Sequence, residues 1–80
     1  MKNQDILDSV VASFHKITQK NEQVITIDSV RDDVDGWDSL NHVAVMVDLE
    51  KTFGFRFQAE EIRTFASIQQ ICDAISQRKK

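Results

Sequence analysis

Proline is absent from this chain, glycine occurs twice (Gly36 and Gly54), and there is a single cysteine, Cys72. An all-β domain with many tight turns draws on more proline and glycine than this, so helices are favoured before any periodicity is read. One cysteine excludes an internal disulfide and a cysteine-rich zinc site, and nothing points to an oxidising compartment. No apolar run approaches the roughly 20 residues needed to span a bilayer. The first residues, MKNQDILDS, lack the apolar core of a signal peptide, so a cytoplasmic chain with no membrane partner is expected. An excess of basic charge is missing too: 10 Lys and Arg stand against 13 Asp and Glu, a net charge of −3. Such a balance disfavours non-specific binding to a phosphate backbone, and no nucleic-acid partner is expected.

What remains is an ordinary folded composition, 41% hydrophobic and 29% charged, which argues against wholesale disorder. Eighty residues make one domain spanning 1–80, too small for a deep catalytic cleft closed off from water. A monomer is expected.

Ile6, Leu7, Val10, Val11, Phe14 and Ile17 recur at the three- and four-residue spacing of one helical face, which predicts a first helix from about Asn3 to Gln19. Residues 21–38 read as a long connection whose scattered aliphatics, Val24, Ile25, Ile27, Val30 and Val34, are expected to pin it to the helices. Asp28, Asp32, Asp33, Asp35 and Asp38 make its second half acidic against the lone Arg31. A second helix should open at Asp38 or Ser39, with Asp38 as N-cap, and stop at Phe53 with Gly54 as its C-terminal cap. Phe55 and Phe57 alternate with polar residues as in a locally extended segment, and 59–65 suits a short helical turn. Ser67 and Gln70 stand in capping-box spacing before a last helix whose apolar face is Ile68, Ile71, Cys72 and Ile75, and the Arg78-Lys79-Lys80 end is expected to fray. The fold class is all-α: a small four-helix bundle of three main helices and one short one, with a long loop between the first two.

The second helix carries more apolar surface than one contact can cover. At about 100° per residue from Leu40, the residues Val45, Met46, Leu49 and Phe53 occupy roughly 140–240°, with His42 among them. Leu40, Val43, Ala44 and Val47 fall almost opposite. Either the helix is central and buried on most sides, or one stripe faces the core and the other meets a partner.

That second stripe begins beside Ser39 in the pentapeptide GWDSL, residues 36–40. With the surrounding DDVDGWDSLNHVAVMVDLEKTFGFRF (32–57) and the AEEIRTFASIQQICDAI end, the chain resembles the acyl carrier protein family, which includes the peptidyl carrier domains. The resemblance covers nearly the whole chain. It implies that Ser39, the serine of the DSL core, carries a 4′-phosphopantetheine arm delivered from coenzyme A by a phosphopantetheinyl transferase, with Asp38 as a flanking recognition residue. Ser39 is then a modification site and the chain is not an enzyme. The resemblance further implies that Val45, Met46, Leu49 and Phe53 face an interior where an acyl chain can shelter. Leu40, Val43 and Val47 would meet partner enzymes, an acyl ligase, a ketosynthase or other acyl-transfer enzymes, with Asp48 and Glu50 steering basic patches on them. Asn41 and His42 after DSL, Lys51 beside Glu50 and the mild net charge imply a specialised acyl carrier of fatty-acid, polyketide or related biosynthesis over a housekeeping one.

Other readings fit the residues less well. A calcium loop with Gly36 at its invariant glycine would start on Arg31 and end on His42, both wrong ligands, so no metal site is expected. Cys72 on an apolar face reads as a buried, inert thiol, and no Ser-His-Asp arrangement can be argued from this spacing. A helix-turn-helix would lack arginines and lysines on its recognition helix. A non-carrier helical adaptor and an aminoacyl or peptidyl carrier stay open as alternatives.

Overall fold

In the computed structural model, which describes residues 3–78, four α-helices follow one another: α1 (Asn3–Thr18), α2 (Ser39–Phe53), α3 (Ala59–Thr64) and α4 (Ile68–Arg78). A single 3-10 turn, Arg31–Asp33, interrupts the long loop between α1 and α2. The fold is a small all-α bundle. Lys79 and Lys80, which carry two-thirds of the basic end expected to fray, lie outside the described residues.

Helix α1 buries Ile6, Val10 and Phe14 as one stripe, with Leu7, Val11 and Ile17 half-buried along its flanks. It packs against both α2 and α4. Its end is local chemistry: the Thr18 hydroxyl donates to the Phe14 carbonyl (2.6 Å), and Gln19 turns the chain in the left-handed region at φ 58°. Helix α4 closes the core with Ile68, Ile71, Cys72, Ala74 and Ile75. Half of the expected capping box forms at its start: the Gln70 amide N–H donates to the Ser67 hydroxyl (3.2 Å), but the Gln70 side-chain oxygen accepts from the Ala66 amide (2.7 Å), one residue before the cap.

The long loop is ordered by specific bonds and less by its aliphatics than the sequence suggests. Ile25 and Val34 are buried and Ile27 is half-buried, but Val24 is 84% exposed and Val30 is also exposed, so those two pin nothing. What fixes the loop is backbone. Val30 and Ser67 form an isolated antiparallel bridge, in which Arg31 N–H donates to the Ala66 carbonyl (2.9 Å) and Ile68 N–H to the Ser29 carbonyl (3.0 Å). The Gln23 side chain brackets Asp35, accepting from its amide and donating to its carbonyl, each at 2.9 Å.

Arg78 is held, contrary to the fraying expected of the basic end. Its guanidinium pairs with Glu61 of α3, donates to the Ala74 carbonyl (3.0 Å), and lies 5.3 Å from the centroid of Phe55 and 5.6 Å from that of Phe57. Phe57 meets Phe55 and Phe65 edge-on, at 4.9 and 5.3 Å between centroids. This aromatic corner joins the 55–58 segment, α3 and the end of α4.

Candidate functional site at the start of helix α2

Helix α2 begins where expected. The Asp38 carboxylate accepts from the Asn41 amide (2.8 Å), the N-cap bond, and its backbone carbonyl accepts from the His42 amide (2.8 Å). The Asn41 side chain donates back to the Gly36 carbonyl (2.8 Å) and so tightens the turn before the helix. Gly36 has φ +85°, and a Cβ there would sit 3.0 Å from the Thr18 Cβ. Glycine is needed twice over, for the left-handed backbone and for the close approach to the end of α1. At the far end Gly54 adopts φ 77° and its amide reaches the Glu50 carbonyl at 2.8 Å.

The two stripes separate cleanly. Val45, Met46 and Leu49 are fully buried and Phe53 nearly so. Leu40 is 85% exposed, Val43 52% and Val47 42%. Ser39 is exposed at the first helical position, next to Leu40 and at the head of this open stripe. Further along the same face, Val47, Glu50, Lys51, Phe55 and Arg56 line a shallow cleft of about 340 Å³.

Two acids assigned a steering role have other work. The Asp48 carboxylate accepts from the Ser13 hydroxyl (2.7 Å) and from the Lys16 ammonium (2.6 Å), clamping α2 to α1. Burial works against its charge, but these two bonds, with the charges of Lys16 and Lys51, outweigh it and hold the carboxyl below its usual range. One Glu50 oxygen accepts from the Phe57 amide (2.7 Å) and fastens the segment after Gly54. Both carboxylates thus have a structural partner; the Asp48 charge is offset by Lys16, whereas the bond to Glu50 comes from an uncharged amide and leaves its charge in place. Asp32, Asp33, Asp35 and Asp38, all exposed, make the chain leading to Ser39 acidic, although Asp35 pairs with Lys20 at 3.4 Å. Among the described residues no group of three or more His, Cys, Asp or Glu is placed to hold a metal ion.

On either side of Ser39 in the sequence stand two residues whose pairing sequence reasoning missed. Trp37 and His42 are each 6% exposed, and the Trp37 indole N–H donates to His42 Nδ1 at 2.8 Å. On its other side His42 Nε2 meets the Ile62 carbonyl of α3 at 2.5 Å. The Trp37 ring also packs on Phe14 of α1, 4.7 Å between centroids. The available signal was His42 falling within the buried arc of α2, where an imidazole needs partners, close in sequence to a donor-only tryptophan.

Cys72 is buried, and desolvation, helped by the Asp73 charge, pushes its thiol up to about 11. It borders a cleft of about 350 Å³ lined by α1, Ile27 and α4, which includes no residue of α2. His15 is half-buried and bonds through Nε2 to the Gln23 carbonyl (2.9 Å), a loop contact remote in sequence from Ser39. No helix among the described residues is long and apolar enough to cross a membrane.

Compared with known proteins, the chain matches no family model, and no curated protein matches it closely enough to stand as a relative.

Proposed function

We propose that this chain is an acyl carrier protein, holding acyl intermediates as thioesters on a 4′-phosphopantetheine attached to Ser39. The observation that carries the reading is the juxtaposition of an exposed serine on the first turn of α2 with an exposed aliphatic stripe, Leu40, Val43 and Val47, on a helix whose opposite face fills the core.

The residues present suit the group. The Ser39 hydroxyl is accessible to an enzyme that delivers a phosphoryl group from coenzyme A. In that transfer a bond forms from Ser39 Oγ to phosphorus as the pyrophosphate bond of coenzyme A breaks. Adenosine 3′,5′-bisphosphate leaves, and the serine proton goes to a base on the transferase. Asp38 takes up the amides of Asn41 and His42, so the amides of Ser39 and Leu40 remain at the positive end of α2, where negative charge on Ser39 is favoured. When attached, the arm supplies a terminal thiol for thioester chemistry. Leu40, Val43 and Val47 offer a dry contact for the enzymes that load and unload it, and the exposed aspartates of the preceding loop offer an acidic rim to them. Cys72, protonated at neutral pH and buried, does not compete for acyl groups.

The test is an intact mass measurement after incubation with coenzyme A and a phosphopantetheinyl transferase. The carrier gains the mass of one phosphopantetheine and Ser39→Ala gains none; a helical adaptor gains nothing in either form.

A further inference from the structure

We propose that Trp37 and His42, which flank Ser39 in the sequence, are its positioning pair, bonded to each other through one defined tautomer of the histidine. Only the effect on group transfer rests on the carrier reading; the pair itself stands on geometry.

An indole nitrogen can only donate, so His42 Nδ1, 2.8 Å from it, must be the unprotonated nitrogen. The ring proton is then on Nε2, and it is donated to the Ile62 carbonyl. That carbonyl needs a partner. It lies in the last turn of the six-residue α3, and the Ala66 amide, its intrahelical partner if α3 continued, is bonded to the Gln70 side chain instead. His42 therefore satisfies two polar groups at once, a buried one from the α1–α2 loop and a part-buried one from α3.

The consequence for Ser39 follows from spacing. Trp37 is two residues before it and His42 three after, and both are buried while Ser39 and Leu40 between them are exposed. The first turn of α2 is thus suspended between two anchors joined to one another. Trp37 is fixed independently by its ring contact with Phe14 and by its amide, which donates to the Val34 carbonyl at 3.2 Å. Loss of the indole–imidazole bond lets the turn shift relative to the core while the rest of α2, held by Val45, Met46 and Leu49, stays in place.

Two conservative variants separate the two bonds. His42→Asn places an amide oxygen where Nδ1 stands and keeps the acceptor for Trp37. His42→Gln places an amide nitrogen where Nε2 stands and keeps only the donor to Ile62. His42→Leu removes both bonds, and Trp37→Phe removes the indole donor while keeping an aromatic ring.

The experiment uses the full-length chain labelled with nitrogen-15, coenzyme A and a phosphopantetheinyl transferase. Three readings are taken: the imidazole nitrogen shifts of His42, the exchange rate of the Asn41 amide, which reports the N-cap bond, and the kinetics of attachment at Ser39. The wild type should show Nδ1 bare and Nε2 protonated. In His42→Leu and Trp37→Phe, exchange at Asn41 should quicken about tenfold. In the same two variants kcat for attachment should fall about tenfold with KM within about twofold, because Val43 and Val47 of the docking stripe lie beyond the turn that shifts. His42→Asn should restore both readings and His42→Gln should not.

A proton on Nδ1 overturns the proposal. So do folded His42→Leu and Trp37→Phe proteins with unchanged Asn41 exchange, or rescue by His42→Gln as full as that by His42→Asn. If His42→Leu does not fold, Trp37→Phe decides. A wild type that accepts no group defeats the carrier reading, while the tautomer and the Asn41 exchange still decide the pair.

Discussion

The two faces of α2 have nearly the same aliphatic content and opposite fates. Val45, Met46 and Leu49 belong to the core, on a helix that packs against α1, and are shut away from solvent, whereas Leu40, Val43 and Val47 are exposed. One face holds the domain together, and the other is surface that a small protein keeps at some risk of self-association. The contrast teaches that hydrophobicity along a helix does not by itself identify the core. The polar neighbours do so here. Asp48, beside the buried face, is clamped by Ser13 and Lys16, while Ser39, at the head of the open face, is exposed.

The largest expected effect tests the open face. Ser39→Ala should abolish attachment of phosphopantetheine while leaving the far-ultraviolet circular dichroism unchanged, because the serine is exposed and the cap is Asp38. A collapse of helicity would show that the serine belongs to the fold. Next comes the buried face: Leu49→Ala should lower unfolding stability by about 2–5 kcal/mol, against a total of about 5–15 kcal/mol for a domain. Denaturant titration reads this directly. Val47→Glu is the counterpart on the open face and should stay within about 0.5 kcal/mol of wild type while slowing transfer to partner enzymes. A loss as large as that for Leu49→Ala would mean that the faces had been exchanged.

A smaller effect concerns the clamps. Asp48 and Glu61 are both held below their usual range; in each, burial opposes the charge and is outweighed by bonds, from Lys16 and Ser13 to Asp48 and from the Gln58 amide and Arg78 to Glu61. Their contribution to stability is complete above the unfolded carboxylate range of about pH 4 and is lost as pH falls through the lower folded values. Asp48→Asn should therefore cost most near neutral pH, where that contribution is complete, and flatten part of the acid limb, so that its pH–stability profile approaches wild type as pH falls. A profile that runs parallel to wild type from neutral to acid pH would show that the charge of this clamp contributes nothing.

Much of this architecture was legible because it is local. The cap at Asp38, the left-handed stop at Gly54 and the bond from the Gln70 amide to Ser67 each depend on residues within four positions of one another, and the structure holds all three. The opposed stripes follow from helical spacing alone, although only tertiary contact decides which is inside. Most of the misses are matters of distance along the chain. Asp48 looked like a free acid because Ser13 and Lys16 lie 35 and 32 residues away. Arg78 looked like a loose end because its partners Glu61, Phe55 and Phe57 come from other segments. Val24 and Val30 were read as anchors because the bridge to Ser67, which fixes that loop through backbone, leaves no mark on composition. At the site, Asp38 and Ser39 were readable from the motif, but the bond between Trp37 and His42 needed the fold to be seen.

The most direct test of the central claim is peptide mapping after treatment with coenzyme A and a phosphopantetheinyl transferase. Cleavage after Arg31 and Lys51 releases residues 32–51, in which Ser39 is the only residue with an aliphatic hydroxyl. The carrier reading predicts that this peptide alone gains one phosphopantetheine. An unshifted 32–51 peptide, or the added mass on any other fragment, would contradict it.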